Sequence, residues 1–202
     1  RYAADGTAAG DEFQVNTRTF LDQSGPSVTA LADGGFVVTW TSFNQDGSLY
    51  GVYGQRYAAD GTVAGAEFQV NTYTNRSQSD PSVTALADGG FVVTWTSQHQ
   101  DGSRYGVYGQ RYAADGTVAG AEFQVNTYTL NDQYMPSVTA LTDGGFVVTW
   151  SSNNQDGSSL SVYGQRYQTV GLQSPENATA TLAFVDNGIS FINDLRSSYG
   201  AA

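Results

Sequence analysis

Apolar and polar positions alternate in short bursts along this chain, and residues 1–167 lack the three-to-four spacing of an amphipathic helix. Over Ser82–Leu86 small and apolar residues alternate, Ala87-Asp88-Gly89-Gly90 is a turn signal, and Phe91–Thr96 is β-branched and aromatic; together these predict a hairpin. The polar loop Gln98–Ser103 leads to a third predicted strand, Tyr105–Tyr112, and the turn Ala113–Thr117 to a fourth, Ala121–Asn126. Gly106 and Gly109 inside the third strand mark a bulge or a close backbone approach. Both faces of Phe91-Val92-Val93-Thr94-Trp95 are apolar, the pattern of a sheet covered on both sides.

This unit is repeated. Asp33-Gly-Gly-Phe-Val-Val-Thr-Trp40 recurs at Asp88–Trp95 and Asp143–Trp150, 55 residues apart each time, and the same offset relates Pro26, Pro81 and Pro136. A period of this size implies supersecondary units sharing a stacked or closed core. The predicted fold is all-β: three 55-residue repeats of four-stranded antiparallel sheets, propeller-like, with the link from Asn71 to Asp80 joining one sheet to the next. A fourth-type strand at Glu12–Asn16 precedes the first repeat and is expected to complete the last sheet, closing a ring. Because three blades are fewer than the usual four to eight, a threefold β-prism or β-trefoil, further repeats upstream, and assembly between chains are the alternatives. Arg1 already falls inside a repeat, which implies a longer natural chain.

After Tyr167 the repeat stops, and residues 168–173 read as a linker. Ser174-Pro175-Glu176 is a helix-start signal: a hydroxyl cap, proline in the first turn and an acidic residue beside it. Leu182, Val185, Ile189, Ile192 and Tyr199 then form one stripe, widened by Phe184, Phe191 and Leu195. A short C-terminal α-helix over 174–202 is expected to use these residues for assembly.

Hydrophobic residues make up 40% of the 202, enough for a core. Nineteen acidic residues against 8 basic give a net charge of −11, which argues against nucleic-acid partners and anionic membranes. There is no cysteine, hence neither a disulfide framework nor a thiolate metal site. No run of 18 apolar residues predicts a membrane span.

Candidate chemistry is thin, because the polar residues of interest recur in equivalent positions. His99, the single histidine, is matched one period away by Asn44 and Asn154, so it reads as a loop residue. Glu12, Glu67 and Glu122 are likewise periodic and offer no distinct acid and base, so no catalysis is expected. Asp46, Asp101 and Asp156, each in Gln-Asp-Gly-Ser, are candidate calcium ligands beside their more ordinary use in turns. Trp40, Trp95 and Trp150 sit between β-branched neighbours and are expected in the core. Tyr50, Tyr105 and Tyr108, near loop ends, are the candidate glycan contacts. The copies differ mainly at 18–25, 73–80 and 128–135, and after each Gln-Asp-Gly-Ser, as a tolerant scaffold with variable loops allows.

Two resemblances follow from these residues. Ser174–Ala202 resembles the start of the C-terminal conserved segment of bacterial flagellins, with Asn177-Ala178, Asp186, Ile189, Arg196 and Gly200-Ala201 at matching positions. Residues 1–167 resemble the Asp-Gly-rich, Val-Thr-Trp-containing repeats of large secreted bacterial proteins, often found beside calcium-binding repeats. The resemblances imply an extracellular, surface-displayed structural domain of a flagellin-like filament, assembling with its own kind. The alternative is a carbohydrate- or surface-binding adhesin module that contacts cell-surface glycans, with calcium ordering its Asp-Gly loops.

Overall fold

Each repeat folds as its apolar pattern predicts through the third strand. In the computed structural model, which describes residues 7 and 10–168, the first sheet is a meander of β1 (Gln23–Ala30), β2 (Phe36–Phe43), β3 (Tyr50–Tyr57) and β4 (Phe68–Gln69). The second repeats it with β5 (Gln78–Ala85), β6 (Phe91–Gln98), β7 (Tyr105–Tyr112) and β8 (Phe123–Gln124). The third contains β9 (Gln133–Ala140), β10 (Phe146–Asn153) and β11 (Leu160–Tyr167). Every pairing between these strands is antiparallel.

The hairpin turns have the chemistry that the Asp-Gly-Gly triplets require. Asp88 Oδ1 accepts the Gly90 N–H at 3.0 Å, Leu86 N–H closes on Gly90 O at 2.8 Å, and Gly89 takes φ 85°. The first strand of each sheet carries a bulge at its proline, between Ser24 and Ser27 or Ser79 and Ser82, where proline's missing N–H costs no ladder bond. Gly25, Asp80 and Met135 immediately before those prolines all have positive φ, between 54° and 59°.

The structure corrects the strand inventory in three ways. The fourth strands are two residues long where six were expected, because the side chain takes over from the backbone. Val125 N–H still reaches Val107 O at 2.8 Å, but Val107 N–H then donates to Asn126 Oδ1 at 2.7 Å, and the chain leaves the sheet. The third sheet has three strands among the described residues, and the Ala-Ala-Asp-Gly sequence that follows the third strand of the other repeats is replaced after Tyr167. Residues 12–16 form no strand and do not close a threefold ring. Among the described strands, the first sheet packs on the second and the second on the third, with no packed interface from the third back to the first. A closed threefold prism or trefoil is therefore not what these residues form.

The first strands of successive sheets lie side by side: Val83 N–H donates to Ser27 Oγ at 3.2 Å and Val138 N–H to Ser82 Oγ at 3.1 Å. Apolar clusters fill the spaces between sheets. Leu31, Val37, Val52 and Val70 meet Val83, Val93 and Trp95 across one interface, and Leu86, Val92, Val107 and Val125 meet Val138, Val148 and Trp150 across the next. β6, buried along nearly its whole length, is the strand covered on both faces. All three tryptophans are core residues, as their β-branched neighbours imply. The predicted 174–202 helix, with its assembly stripe, lies outside the described residues, as does most of the 168–173 linker.

Candidate functional site

The Gln-Asp-Gly-Ser loops hold their carboxylates locally. Asp46 Oδ1 accepts Ser48 N–H at 3.0 Å and Asp101 Oδ1 accepts Ser103 N–H at 2.9 Å, each forming the turn of its own loop. Asp156 accepts from Ser158 N–H and from the Ser161 hydroxyl, and the hydroxyl bond leads in holding its carboxyl below the usual range. These three loops belong to three different sheets, and among the described residues no three His, Asp or Glu side chains gather as a metal site would need. His99 takes φ 64°, as Asn44 and Asn154 take 55° and 63°, so the residue types at this position are those that tolerate a left-handed backbone.

Of the candidate tyrosines, Tyr108 is 6% exposed, inside the interface between the first and second sheets. Burial first, then the Asp101 charge, push its phenol well above the usual tyrosine range. Tyr50 is half-buried against Phe43, the ring centroids 4.9 Å apart and tilted by 57°. Tyr105 lines a cleft.

That cleft, of about 310 Å³, lies where the second sheet meets the third and is lined by Ser79, Asp80, Thr96, Tyr105, Asp132 and Tyr134. The bulge in β5 places Asp80 there with φ 54°, and Ser79 Oγ donates to its Oδ2 at 3.0 Å. Gly25 and Met135 share this φ, so it belongs to the bulge before each proline. Asp132 is fixed from two sides: its backbone bridges Tyr105 in parallel, and its carbonyl accepts Asn153 N–H at 2.8 Å. Asp132 Oδ2 faces Arg104 at 3.5 Å, while Oδ1 is buried without a protein hydrogen-bond partner. Thr96 Oγ1 accepts Met135 N–H at 3.0 Å, joining the two sheets beneath the cleft.

The arrangement is particular to this junction. Stepping each lining residue back one period to the first junction gives Ser24, Gly25, Thr41, Tyr50, Ser77 and Ser79, with one tyrosine instead of two and no carboxylate. Asp80, Asp132 and Tyr134 are not among the candidates that the sequence pattern offers, because they have no equivalents in all three copies. The signal that marks them is divergence, since all three fall in the 73–80 and 128–135 segments where the copies differ.

No family model matches the chain, and no curated protein matches it. Solved structures do. An endo-arabinase from Bacteroides thetaiotaomicron aligns over 76% of this chain and 58% of its own, at 15% identity and a TM-score of 0.52. The GH93 alpha-L-arabinofuranosidase of Fusarium graminearum aligns over 76% and 48%, at 13% identity and a TM-score of 0.52. A protein of unknown function from Dyadobacter fermentans aligns over 74% and 52%, at 11% identity and a TM-score of 0.54. The chain thus spans about half the length of these structures.

These matches overturn the flagellin resemblance and, with it, the reading of the chain as a displayed part of a flagellar filament. That resemblance rested on 29 residues at 174–202, outside the described residues, whose apolar stripe meets the spacing of any packed amphipathic helix. The fold-bearing three-quarters of the chain point elsewhere: three packed antiparallel sheets, similar in fold to the β-propeller glycoside hydrolases.

Proposed function

We propose that the chain is a carbohydrate-binding module of a secreted or surface-displayed protein, and that it holds a neutral glycan in the cleft between the second and third sheets. The observation that carries this reading is the cleft itself, where Tyr105 and Tyr134 stand with Asp80 and Asp132, and one buried Asp132 oxygen lacks a protein donor. Sugars present apolar ring faces and outward hydroxyls, so aromatic side chains beside hydrogen-bond acceptors are the complementary chemistry. A hydroxyl donating to Asp132 Oδ1 would satisfy an otherwise costly buried acceptor. Two carboxylates at the cleft and a net charge of −11 disfavour acidic sugars. The names of the solved structures with this fold, an endo-arabinase and an alpha-L-arabinofuranosidase among them, agree with a sugar ligand.

Binding without cleavage is proposed; hydrolysis would need Asp80 and Asp132 to flank one glycosidic bond as proton donor and as base or nucleophile, and release of reducing sugar tests for it. Calcium is proposed as no more than an ordering ion for the Asp-Gly loops, and the cleft reading does not require it. A glycan array, run with and without chelator, tests the function. Binding to neutral glycans in both conditions with no release of reducing sugar is expected. Binding to sialylated glycans alone, or to none, would contradict the proposal, and released sugar would make the chain an enzyme.

A further inference from the structure

Among the described residues, the interface between sheets occurs twice complete and once as two separated halves. In the complete copies, Val52 and Val107 are fully buried beneath the next sheet. Their counterpart on the third sheet, Val162, is 79% exposed. At the other end, Val28 is 64% exposed, although its counterparts Val83 and Val138 are buried. Val15, Val38 and Trp40 line an open groove of about 280 Å³ beside it. One half-interface is thus the face of the first sheet and the other is the face of the third.

The fourth strand is split in the same way. Phe13-Gln14-Val15-Asn16 repeats Phe68–Asn71 and Phe123–Asn126, which supply the fourth strands of the first two sheets. The rings of Phe68 and Phe123 lie over Gly54 and Gly109 so closely that a Cβ there would stand 2.7 and 2.6 Å from the ring edge. At Gly164 the nearest atom to that position is Thr149 Cγ2 at 3.4 Å, and Phe13 is 53% exposed. A third element divides likewise. Glu67 accepts from the N–H and hydroxyl of Thr17, and Glu122 from those of Thr72, which leaves Glu12 and Thr127 as the corresponding partners at opposite ends of the chain.

We propose that a second copy of this chain docks head to tail on the first. Phe13–Asn16 of one copy becomes the fourth strand beside β11 of the other. Phe13 covers Gly164, Val15 packs against Val162, Asn16 Oδ1 accepts Val162 N–H, and Glu12 accepts from Thr127. The occupant is another copy because each half-face is the counterpart of a surface already joined to its complement twice within the chain. Such an interface is heterologous, and it closes if the rotation per sheet completes a ring. The three sheets of the described residues are too few for a closed propeller, whereas those of two copies make six, within the usual range of four to eight.

Analytical ultracentrifugation of the full 202-residue chain tests this. The expected particle has twice the 21.4 kDa chain mass. Gly164→Ala and Val162→Asp should each weaken association by at least about tenfold, as a substitution at an interface centre does. Circular dichroism should be unchanged, because both positions are exposed in the single chain, and melting should lose only the concentration-dependent part that dimerisation adds. Mixing Gly164→Ala with Phe13→Asp, blocked at opposite ends, should restore a dimer through the one unblocked interface. A chain that stays monomeric at every concentration, a dimer indifferent to these substitutions, or a ladder of longer oligomers would overturn the proposal.

Discussion

Asn71 and Gln78 meet across the link from the first sheet to the second: Asn71 Nδ2 donates to Gln78 Oε1 at 3.2 Å, and both side chains are buried. Asn71 also accepts Val52 N–H at 2.7 Å and donates to Tyr73 O at 2.8 Å, while Gln78 Nε2 donates to Asn75 O at 3.1 Å. Two amides thus satisfy the backbone of a loop that has no ladder of its own. The same pair recurs as Asn126 with Gln133 at 3.3 Å.

Removing one member strands the other in the core. Asn71→Ala or Gln78→Ala should each cost about 1–3 kcal/mol, the desolvation penalty of unsatisfied buried groups. The double variant should cost less than the sum, because the two share one network. Urea denaturation of the four chains measures both quantities.

Trp95 is fully buried, and its indole Nε1 has no hydrogen-bond partner. Its contribution is therefore apolar packing. Trp95→Ala should cost roughly 3–5 kcal/mol. Trp95→Phe should cost less, since it keeps an aromatic ring and removes an unsatisfied donor. Equal losses in the two variants by chemical denaturation would show that the indole N–H contributes after all.

Alkaline pH should destabilise the fold through its buried phenols. Burial, then the Asp46 charge, push Tyr53 from 10.0 up to about 12, and Tyr108 and Tyr112 are also raised, chiefly by burial. In the unfolded chain these groups ionise near 10, so above that pH the unfolded state releases protons that the folded state retains. Stability is then full below pH 10 and falls as pH rises towards the folded values. Tyrosinate absorbance should appear together with unfolding, and early ionisation in a still-folded chain would contradict this.

Asp80 should exchange stability against binding. Its φ of 54° is one that glycine adopts freely, and Gly25 occupies the equivalent position in the first repeat. Asp80→Gly should relieve strain worth on the order of 1 kcal/mol and raise the melting temperature while weakening glycan binding. Differential scanning calorimetry and a glycan titration on the same variant separate the two effects.

The sheets were legible because their signals are local. Phe91–Trp95 alternates nothing and so announces a doubly covered strand, and Asp88-Gly89-Gly90 can hardly be anything but a turn. The two-residue fourth strands were not legible, since Asn126 replaces a backbone acceptor with a side-chain one and ends the ladder earlier than the residue types of 121–126 suggest. The tail misled for a related reason: spaced apolar residues describe a helix of any family. The cleft stayed hidden because it forms from residues roughly 50 apart that come together only when two sheets meet. Asp132 and Tyr134 look like ordinary link residues until Tyr105 and Asp80 are placed beside them.

The central claim is that the cleft between the second and third sheets binds a sugar. The most direct measurement is calorimetric titration of a neutral oligosaccharide selected on the array into the wild-type chain and into Tyr134→Ala, Asp132→Asn and Tyr50→Ala. The first two substitutions lie in the cleft, while Tyr50 occupies the equivalent place at the first junction. Tyr134→Ala and Asp132→Asn should each weaken binding by at least about tenfold, as loss of an aromatic platform or a buried acceptor does, and Tyr50→Ala should leave it unchanged. Undiminished binding in both cleft variants, or loss on Tyr50→Ala alone, would contradict the account.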